Sequence, residues 1–197
     1  MSAALHDLQR YMPPIGHVPD NIPWRAVESH WGVVFPDDYK VFLDFYGPGT
    51  IANWLSINAP SPDGSREHFG GYVALSASLD AEMLAELDCP FPAHPAPGGI
   101  FVIGATCGGD TLFYRTASTP ADWRIVTWSR SGYLADAWTE HAMGLPAFLV
   151  ALFSGRYDGW GGPDLWDVET VAFEHWEYEQ RKREQHAYEH MWLDPRG

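Results

Sequence analysis

Cysteine is scarce in this chain, which has only Cys89 and Cys107 among 197 residues and no C-x-x-C pair. A disulfide framework is therefore not expected, and a reducing compartment fits this composition best. Residues 1–12 lack the apolar core of a signal peptide, and the longest strongly apolar run, Ala147 to Phe153, is too short to span a bilayer. We therefore expect a cytoplasmic protein that does not contact a membrane, unless a partner system exports it whole.

Positive charge is also scarce. The chain has 12 Lys and Arg and 26 Asp and Glu, which gives a net charge of −14. The segment from Val168 onward holds seven of these acids and four of the bases, so residues 1–167 carry a net charge of −11. Such a surface repels phosphate backbones, and direct nucleic-acid binding is not expected. The acidity would steer the protein toward a basic partner, although ordinary solubility is the more common reason for such a charge.

What the chain has in quantity is apolar and aromatic surface. Its hydrophobic fraction is 46%, its aromatic fraction is 15%, and it contains ten Trp, which is too apolar for a disordered chain. A length of 197 residues favours one domain, or one domain with an appendage. Sixteen Pro and nineteen Gly predict many turns and short elements rather than a long helical bundle.

Helix signals dominate the first 50 residues. Residues 1–12 fit a short helix, and Asn21 is placed to cap a second helix that Gly32 ends. Phe35-Pro36-Asp37-Asp38 opens a third, with acids in the first turn, and Gly47-Pro48-Gly49 ends it. The apolar residues recur at helical spacing in both: Trp24, Val27 and Trp31, then Tyr39, Phe42, Leu43 and Tyr46.

Strand signals dominate the middle of the chain, where Gly108-Gly109-Asp110 marks a turn between two of the strands. This order of helices, strands and closing helices predicts an α+β domain with a mostly antiparallel sheet flanked by helices, followed by a C-terminal helical extension. The predicted strands are Ile51 to Ile57, Gly71 to Leu75, Ile100 to Ile103, Thr111 to Arg115 and Arg124 to Trp128; the later helices are Ser78 to Leu87, Leu145 to Phe153 and Val168 to Trp192.

The opening helix pair has a recognisable pattern: Pro23-Trp24, Val27-Glu28, Trp31-Gly32, Phe35-Pro36-x-Asp38-Tyr39, Phe42-Leu43 and Tyr46-Gly47. This ensemble resembles the start of SUKH (Smi/Knr-type) proteins. The turn at Gly108-Gly109-Asp110 and the stretch from Leu145 to Gly155 resemble the later parts of that family. The resemblance implies three regions: an N-terminal lead at 1–21, an SUKH-like domain at 22–157, and a Gly/Trp-rich loop with a charged helix at 158–197.

The resemblance also implies a function. SUKH proteins have a strongly bent sheet with helices on one side. Bacterial members are commonly immunity proteins that neutralise a cognate toxin, frequently a nuclease, delivered between neighbouring cells. Fungal relatives are regulatory scaffolds. We therefore expect an immunity protein that binds its toxin by protein–protein contact, with a regulatory or scaffold module for an endogenous partner as the alternative.

No catalytic motif is evident. Ser129-Arg130-Ser131-Gly132 is not a G-x-S-x-G elbow. His186 and His190 stand four residues apart, but Ala187 occupies the Glu position of H-E-x-x-H and no third ligand is evident, so a solvated helix face is the preferred interpretation. We expect no enzymatic activity, no cofactor and no metal.

The sequence supports a binding role better than a catalytic one, because an inhibitor needs aromatic anchors and a charge opposite to that of its target. The expected partner is a basic toxin domain, bound by a monomer or weak homodimer. For the tryptophans the alternative is that they attach the C-terminal helix to the body, and for Asp110 that it only forms a turn. The candidate partner-binding residues are Trp54, Asp63, Glu67, Asp110, Asp158, Trp160 and Asp164.

Overall fold

The computed structural model describes residues 3–14, 21–62, 72–73, 81–132, 137–157 and 159–191. Its helices are α1 (Ala3–Tyr11), α2 (Trp24–Trp31), α3 (Asp37–Tyr46), α4 (Ala81–Glu86), α5 (Leu145–Phe153) and α6 (Trp176–Met191). Its strands are β1 (Gly49–Ile51), β2 (Leu55–Ile57), β3 (Ala59–Pro60), β4 (Tyr72–Val73), β5 (Ile100–Thr106), β6 (Thr111–Arg115), β7 (Arg124–Trp128), β8 (Trp138–His141) and β9 (Phe173–His175).

Seven strands form one open sheet in the order β8-β7-β6-β5-β2-β1-β9, and every neighbouring pair in it is antiparallel. The short strands β3 and β4 form a separate parallel pair. This architecture confirms the predicted α+β class with a mostly antiparallel sheet. None of the helices that the structure describes has the length and apolarity needed to cross a membrane.

Local signals set the ends of α2 and α3 as predicted. Gly32 adopts φ +67° after α2 and donates its N–H to the Glu28 carbonyl, a left-handed cap that glycine adopts without a Cβ penalty. Gly47 donates in the same way to Leu43 at the end of α3. The start of α2 differs from the prediction, because Pro23 occupies the cap position and no side chain caps the helix. The predicted cap at Asn21 was wrong.

The predicted strand Ile51 to Ile57 is in fact a hairpin. Ala52 and Asn53 both adopt φ +54°, and the N–H of Trp54 donates to the Ile51 carbonyl at 2.9 Å, which closes a tight turn between β1 and β2. Two consecutive residues at positive φ match the twist that favours such hairpin turns. Apolar residues continue on both sides of the turn and no Gly or Pro marks it, so Asn53 is the single turn-forming residue type at the break.

The predicted helix from Val168 to Trp192 begins only at Trp176. The preceding residues form β9, which pairs with β1, and the N–H of Ala52 donates to the Ala172 carbonyl at 2.8 Å. An open strand edge offers a full set of backbone partners, and this tertiary pairing outweighs local helix propensity. Strand β8 was also missed, because Trp138–His141 lacks the alternation of a half-buried strand.

The sheet is apolar on both faces, since alternating strand residues point to opposite sides. On β6, for example, Leu112 and Tyr114 belong to the large core under the helices, whereas Phe113 belongs to a smaller cluster on the other face. The smaller cluster consists of Leu84, Ile100, Phe113, Val126, Ala137 and Trp138.

The large core draws on chain segments outside residues 22–157. Leu5 and Leu8 of α1 are fully buried, and Trp160, Leu165 and Val171 belong to the same cluster. Each fully buried side chain of this size contributes about 1.5–3 kcal/mol to stability. The N-terminal helix and the segment up to β9 are therefore structural parts of the same core as residues 22–157.

Candidate partner-binding surface

Trp54 lies in the turn between β1 and β2, with its ring held between two glycine backbones. Its indole Nε1–H donates to the carbonyl of Gly161. A methyl group placed on Gly108 would come within 3.1 Å of the ring, and one on Gly162 within 3.5 Å. The indole is half-buried in this slot, so its orientation is defined while part of its surface faces solvent.

Trp160 belongs to the interior. It is only 2% exposed, and its Nε1–H donates to the Trp128 carbonyl at 3.0 Å at the end of β7. Its ring packs against Phe148 of α5 with centroids 5.8 Å apart, and Trp166 donates to its carbonyl at 2.8 Å. Trp160 thus attaches the 159–167 loop to the sheet and to α5.

Asp110 joins two turns at the same end of the sheet. Its Oδ1 accepts the backbone N–H of Arg130 at 3.0 Å and the Ser129 hydroxyl at 3.4 Å, and its own N–H donates to Thr106 Oγ1 at 3.1 Å. The side chain of Arg130 lies across Gly109. These contacts account for Asp110 as a turn-forming residue that also connects the β5–β6 turn to the end of β7.

The antiparallel order brings the predicted residues to one end of the sheet. The turn after β1, the turn after β5 and the end of β7 all lie there, and Trp54 connects them to the 159–167 loop. Asp164 projects from that loop within a short 3-10 turn and is exposed. We call the accessible part of this region, formed by Asn53, Trp54, Cys107, Gly108 and Asp164, the turn-end surface.

The structure therefore brings the segments that carry Trp54, Asp110, Trp160 and Asp164 to one end of the sheet, although these three segments are far apart in the sequence. The other three predicted residues, Asp63, Glu67 and Asp158, lie outside the described residues. Sequence reasoning missed Asn53 and Cys107 as surface neighbours: the Cys107 Sγ lies 3.7 Å from the Asn53 carbonyl oxygen, and both residues are exposed. Only the paired turns bring them together, and local sequence carries no signal of that.

The acidic residues of the opening helix pair have structural roles. Glu28 accepts the backbone N–H of Phe35 at 3.1 Å and the Lys40 ammonium at 3.0 Å, which fixes the connection between α2 and α3. Asp38 accepts the N–H of Tyr39 at 2.8 Å, and burial raises the pKa of this carboxyl. Tyr39 itself is buried in the core. Glu28 and Asp38 therefore help to hold the helix pair in place.

Among the described residues, His141, Thr127 and Tyr157 form a partly buried polar cluster. His141 Nε2 lies 3.1 Å from Thr127 Oγ1, and the Tyr157 hydroxyl lies 3.3 Å from the same oxygen. Burial lowers the pKa of His141 and also that of His94, whose ring contacts Trp31. Within the described part of the chain, no group of three His, Cys, Asp or Glu side chains converges on a common point.

His186 and His190 both fall in α6, beyond the last residue whose side chain the structure describes. The prediction of a solvated helix face for this pair therefore remains a prediction. No protein-family model matches the chain, and no curated protein and no solved structure is significantly similar to it.

Proposed function

We propose that this protein is a non-catalytic, SUKH-like immunity protein that binds and neutralises a cognate toxin through its turn-end surface. The observation that supports this most is a partly exposed Trp54 whose indole is fixed by the 159–167 loop, the same loop that carries the exposed Asp164. The immunity function is proposed from the resemblance of the opening helix pair to SUKH proteins. The choice of the turn-end surface as the binding site is proposed from the positions of its side chains.

The rigidity of Trp54 favours binding. Tryptophan is enriched among the residues that dominate protein interfaces, and an ordered side chain loses little entropy when a partner covers it. Trp54 is fixed by the carbonyl of Gly161 and by the backbones of Gly108 and Gly162. A partner would therefore meet an aromatic edge whose orientation is already set.

The charge of the protein favours a basic target. A net charge of −14 accelerates encounter with a cationic surface, and carboxylates such as Asp164 can occupy positions that nucleic-acid phosphates would take in a nuclease cleft. Inhibition would then follow from occupation of the cleft, without any chemistry by the inhibitor. Because exposed charges act mainly on association, the affinity should fall steeply with salt.

The test uses the purified product of the adjacent upstream gene, with binding measured by biolayer interferometry and protection measured by growth on co-expression. The charge reversal Asp164→Lys should weaken binding by about tenfold, mainly through slower association. Asp122→Lys provides the matched control, because Asp122 is an exposed acid just before β7, at the opposite end of that strand from the turn-end surface.

Asp122→Lys should change the affinity by less than about threefold, since a surface charge at the far end of the sheet is screened. If the neighbouring product does not bind and co-expression gives no protection, the immunity function is wrong. If binding occurs but both reversals weaken it equally, the function stands and the turn-end surface is the wrong site.

A further inference from the structure

A second feature lies at the opposite end of the sheet from the turn-end surface. A depression of about 380 Å³ opens where β6 ends and β7 begins, beside the backbone of Gly98. Its charged lining consists of Arg115, Arg124, Asp122 and Glu140. Small-molecule sites typically occupy about 300–1,000 Å³, and this volume suits a small ligand.

Two cations face each other directly across this depression. Arg115 of β6 and Arg124 of β7 are paired in the strand register, and like charges in directly opposed positions destabilise a sheet. Glu140 of β8 lies between them, with Oε2 at 2.8 Å from Arg115 Nη1 and Oε1 at 3.7 Å from Arg124 Nε. One carboxylate therefore serves two guanidinium groups.

The two arginines are held differently. Arg115 donates from Nε to the Gly98 carbonyl at 3.4 Å and lies over the Phe91 ring at 4.9 Å, so its guanidinium is fixed. Arg124 is 49% exposed, and the long contact with Glu140 is its one ion pair among the described residues. Arg124 lines the depression, and no other carboxylate of the described residues forms an ion pair with it.

Asp122 does not act as a second carboxylate partner for Arg124. It lines the same depression, but in the described structure no ion pair joins it to either arginine, and its carboxylate accepts the Thr119 hydroxyl instead. The local arrangement thus has one fixed guanidinium group, Arg115, and one more exposed guanidinium group, Arg124, with the Glu140 carboxylate between them. A second anion would relieve the repulsion between the two cations.

We propose that this depression is a binding site for a small oxyanion, a carboxylate or phosphate group, held between Arg115 and Arg124. Guanidinium groups bind both kinds of anion through paired, charge-assisted hydrogen bonds. The site lies apart from the turn-end surface and does not depend on the proposed immunity function. The depression would then be a site at which this acidic protein binds an anionic small molecule.

The test titrates the full chain with citrate and, separately, with inorganic phosphate at low ionic strength, following amide shifts of Thr116 and Ala117 by NMR. Saturable shifts are expected for one of the two probes, and the probe that binds more tightly identifies carboxylate or phosphate as the preferred group. Arg124→Gln should weaken that binding by about tenfold, the equivalent of one charge-assisted hydrogen bond. Arg130→Gln, at the turn end, should leave it unchanged.

The variant Glu140→Gln separates a binding role from a structural one. It keeps a hydrogen-bond acceptor for Arg115 but removes the competing charge, so anion binding should tighten by at least a few fold. The proposal is overturned if neither probe gives a saturable shift, if Arg124→Gln and Arg130→Gln behave alike, or if Glu140→Gln weakens binding. The amide spectrum of each variant verifies that it is folded.

Discussion

The indole N–H of Trp54 donates a hydrogen bond to the carbonyl oxygen of Gly161, and this contact joins the first hairpin to a loop 107 residues later in the chain. The backbone of Gly162 then packs against the same ring. The turn-end surface therefore depends on two glycines that allow the loop to pass close to an aromatic plane.

Replacing Gly162 with alanine should weaken this contact. Gly162 adopts φ +101°, and a methyl group there would lie 3.5 Å from Trp54 Nε1. Because L residues are strained in this backbone region, Gly162→Ala should lower the free energy of unfolding by about 1–2 kcal/mol. Urea denaturation measures the change. Gly159→Ala is the control, since a methyl group there meets nothing closer than 3.8 Å; equal effects from the two variants would contradict the account.

Two truncations should behave very differently. Ending the chain after Trp176 removes most of α6, whose described side chains past Trp176 are largely exposed, and should change stability by less than about 1 kcal/mol. Ending it after Val168 also removes Val171, which is 7% exposed, and Phe173, whose ring packs on Tyr46. That loss should cost about 3–5 kcal/mol. Thermal unfolding compares them, and equal stability of the two truncations would show that β9 is dispensable.

Stability should fall on mild acidification, in part because of His141. Burial lowers its pKa, so the unfolded chain, where histidine titrates near about 6.5, binds the proton first. The free energy of unfolding therefore decreases as pH falls through about 6.5 and levels off below the folded-state pKa. His141→Phe keeps the ring packing and removes the titration, which should flatten the slope.

The pH slope should not vanish in that variant, because burial also lowers the pKa of His94. Urea denaturation between about pH 5 and pH 8 provides the measurement, a range that spans the ordinary histidine pKa. A slope unchanged by His141→Phe would mean that His141 is not buried in its neutral form.

Glu28 should contribute to stability through its contact with the backbone N–H of Phe35. Glu28→Ala leaves that half-buried donor without its partner and should cost about 1–2 kcal/mol. Glu28→Gln keeps an acceptor and loses the charge paired with Lys40, so its cost should be smaller. Asp37→Ala is the control, because Asp37 contacts the same lysine but is 96% exposed. Chemical denaturation should rank the three in that order.

The sequence predicted those parts of the fold whose signals are local. Gly32 and Gly47 end α2 and α3 because only their own backbone conformations matter there. The misses were long-range. The residues Phe173–His175 carry no local signal that they pair with the edge of β1. At Ala52 and Asn53, the turn has no Gly or Pro to mark it. Helix propensity was the only local guide, and sheet pairing overrode it.

For the candidate site, the sequence supplied residues but not their roles. Trp54 and Trp160 are the same residue type, yet Trp54 is half-buried and Trp160 is 2% exposed. The difference comes from their hydrogen-bond acceptors, Gly161 and Trp128, which are brought near only by the folded sheet. The pairing of Arg115 with Arg124 likewise depends on strand register.

The position of β1 between β2 and β9 has a consequence for how the protein is made. The ribosome releases β1 and β2 early, but β1 keeps an unpaired edge until His175 has been synthesised. Helix α1 likewise cannot pack against its partner α5 until that helix has been synthesised. Closing loops of this length delays folding, and an exposed strand edge can recruit other chains in the meantime. The nascent chain should therefore depend on chaperones until β9 has emerged from the ribosome.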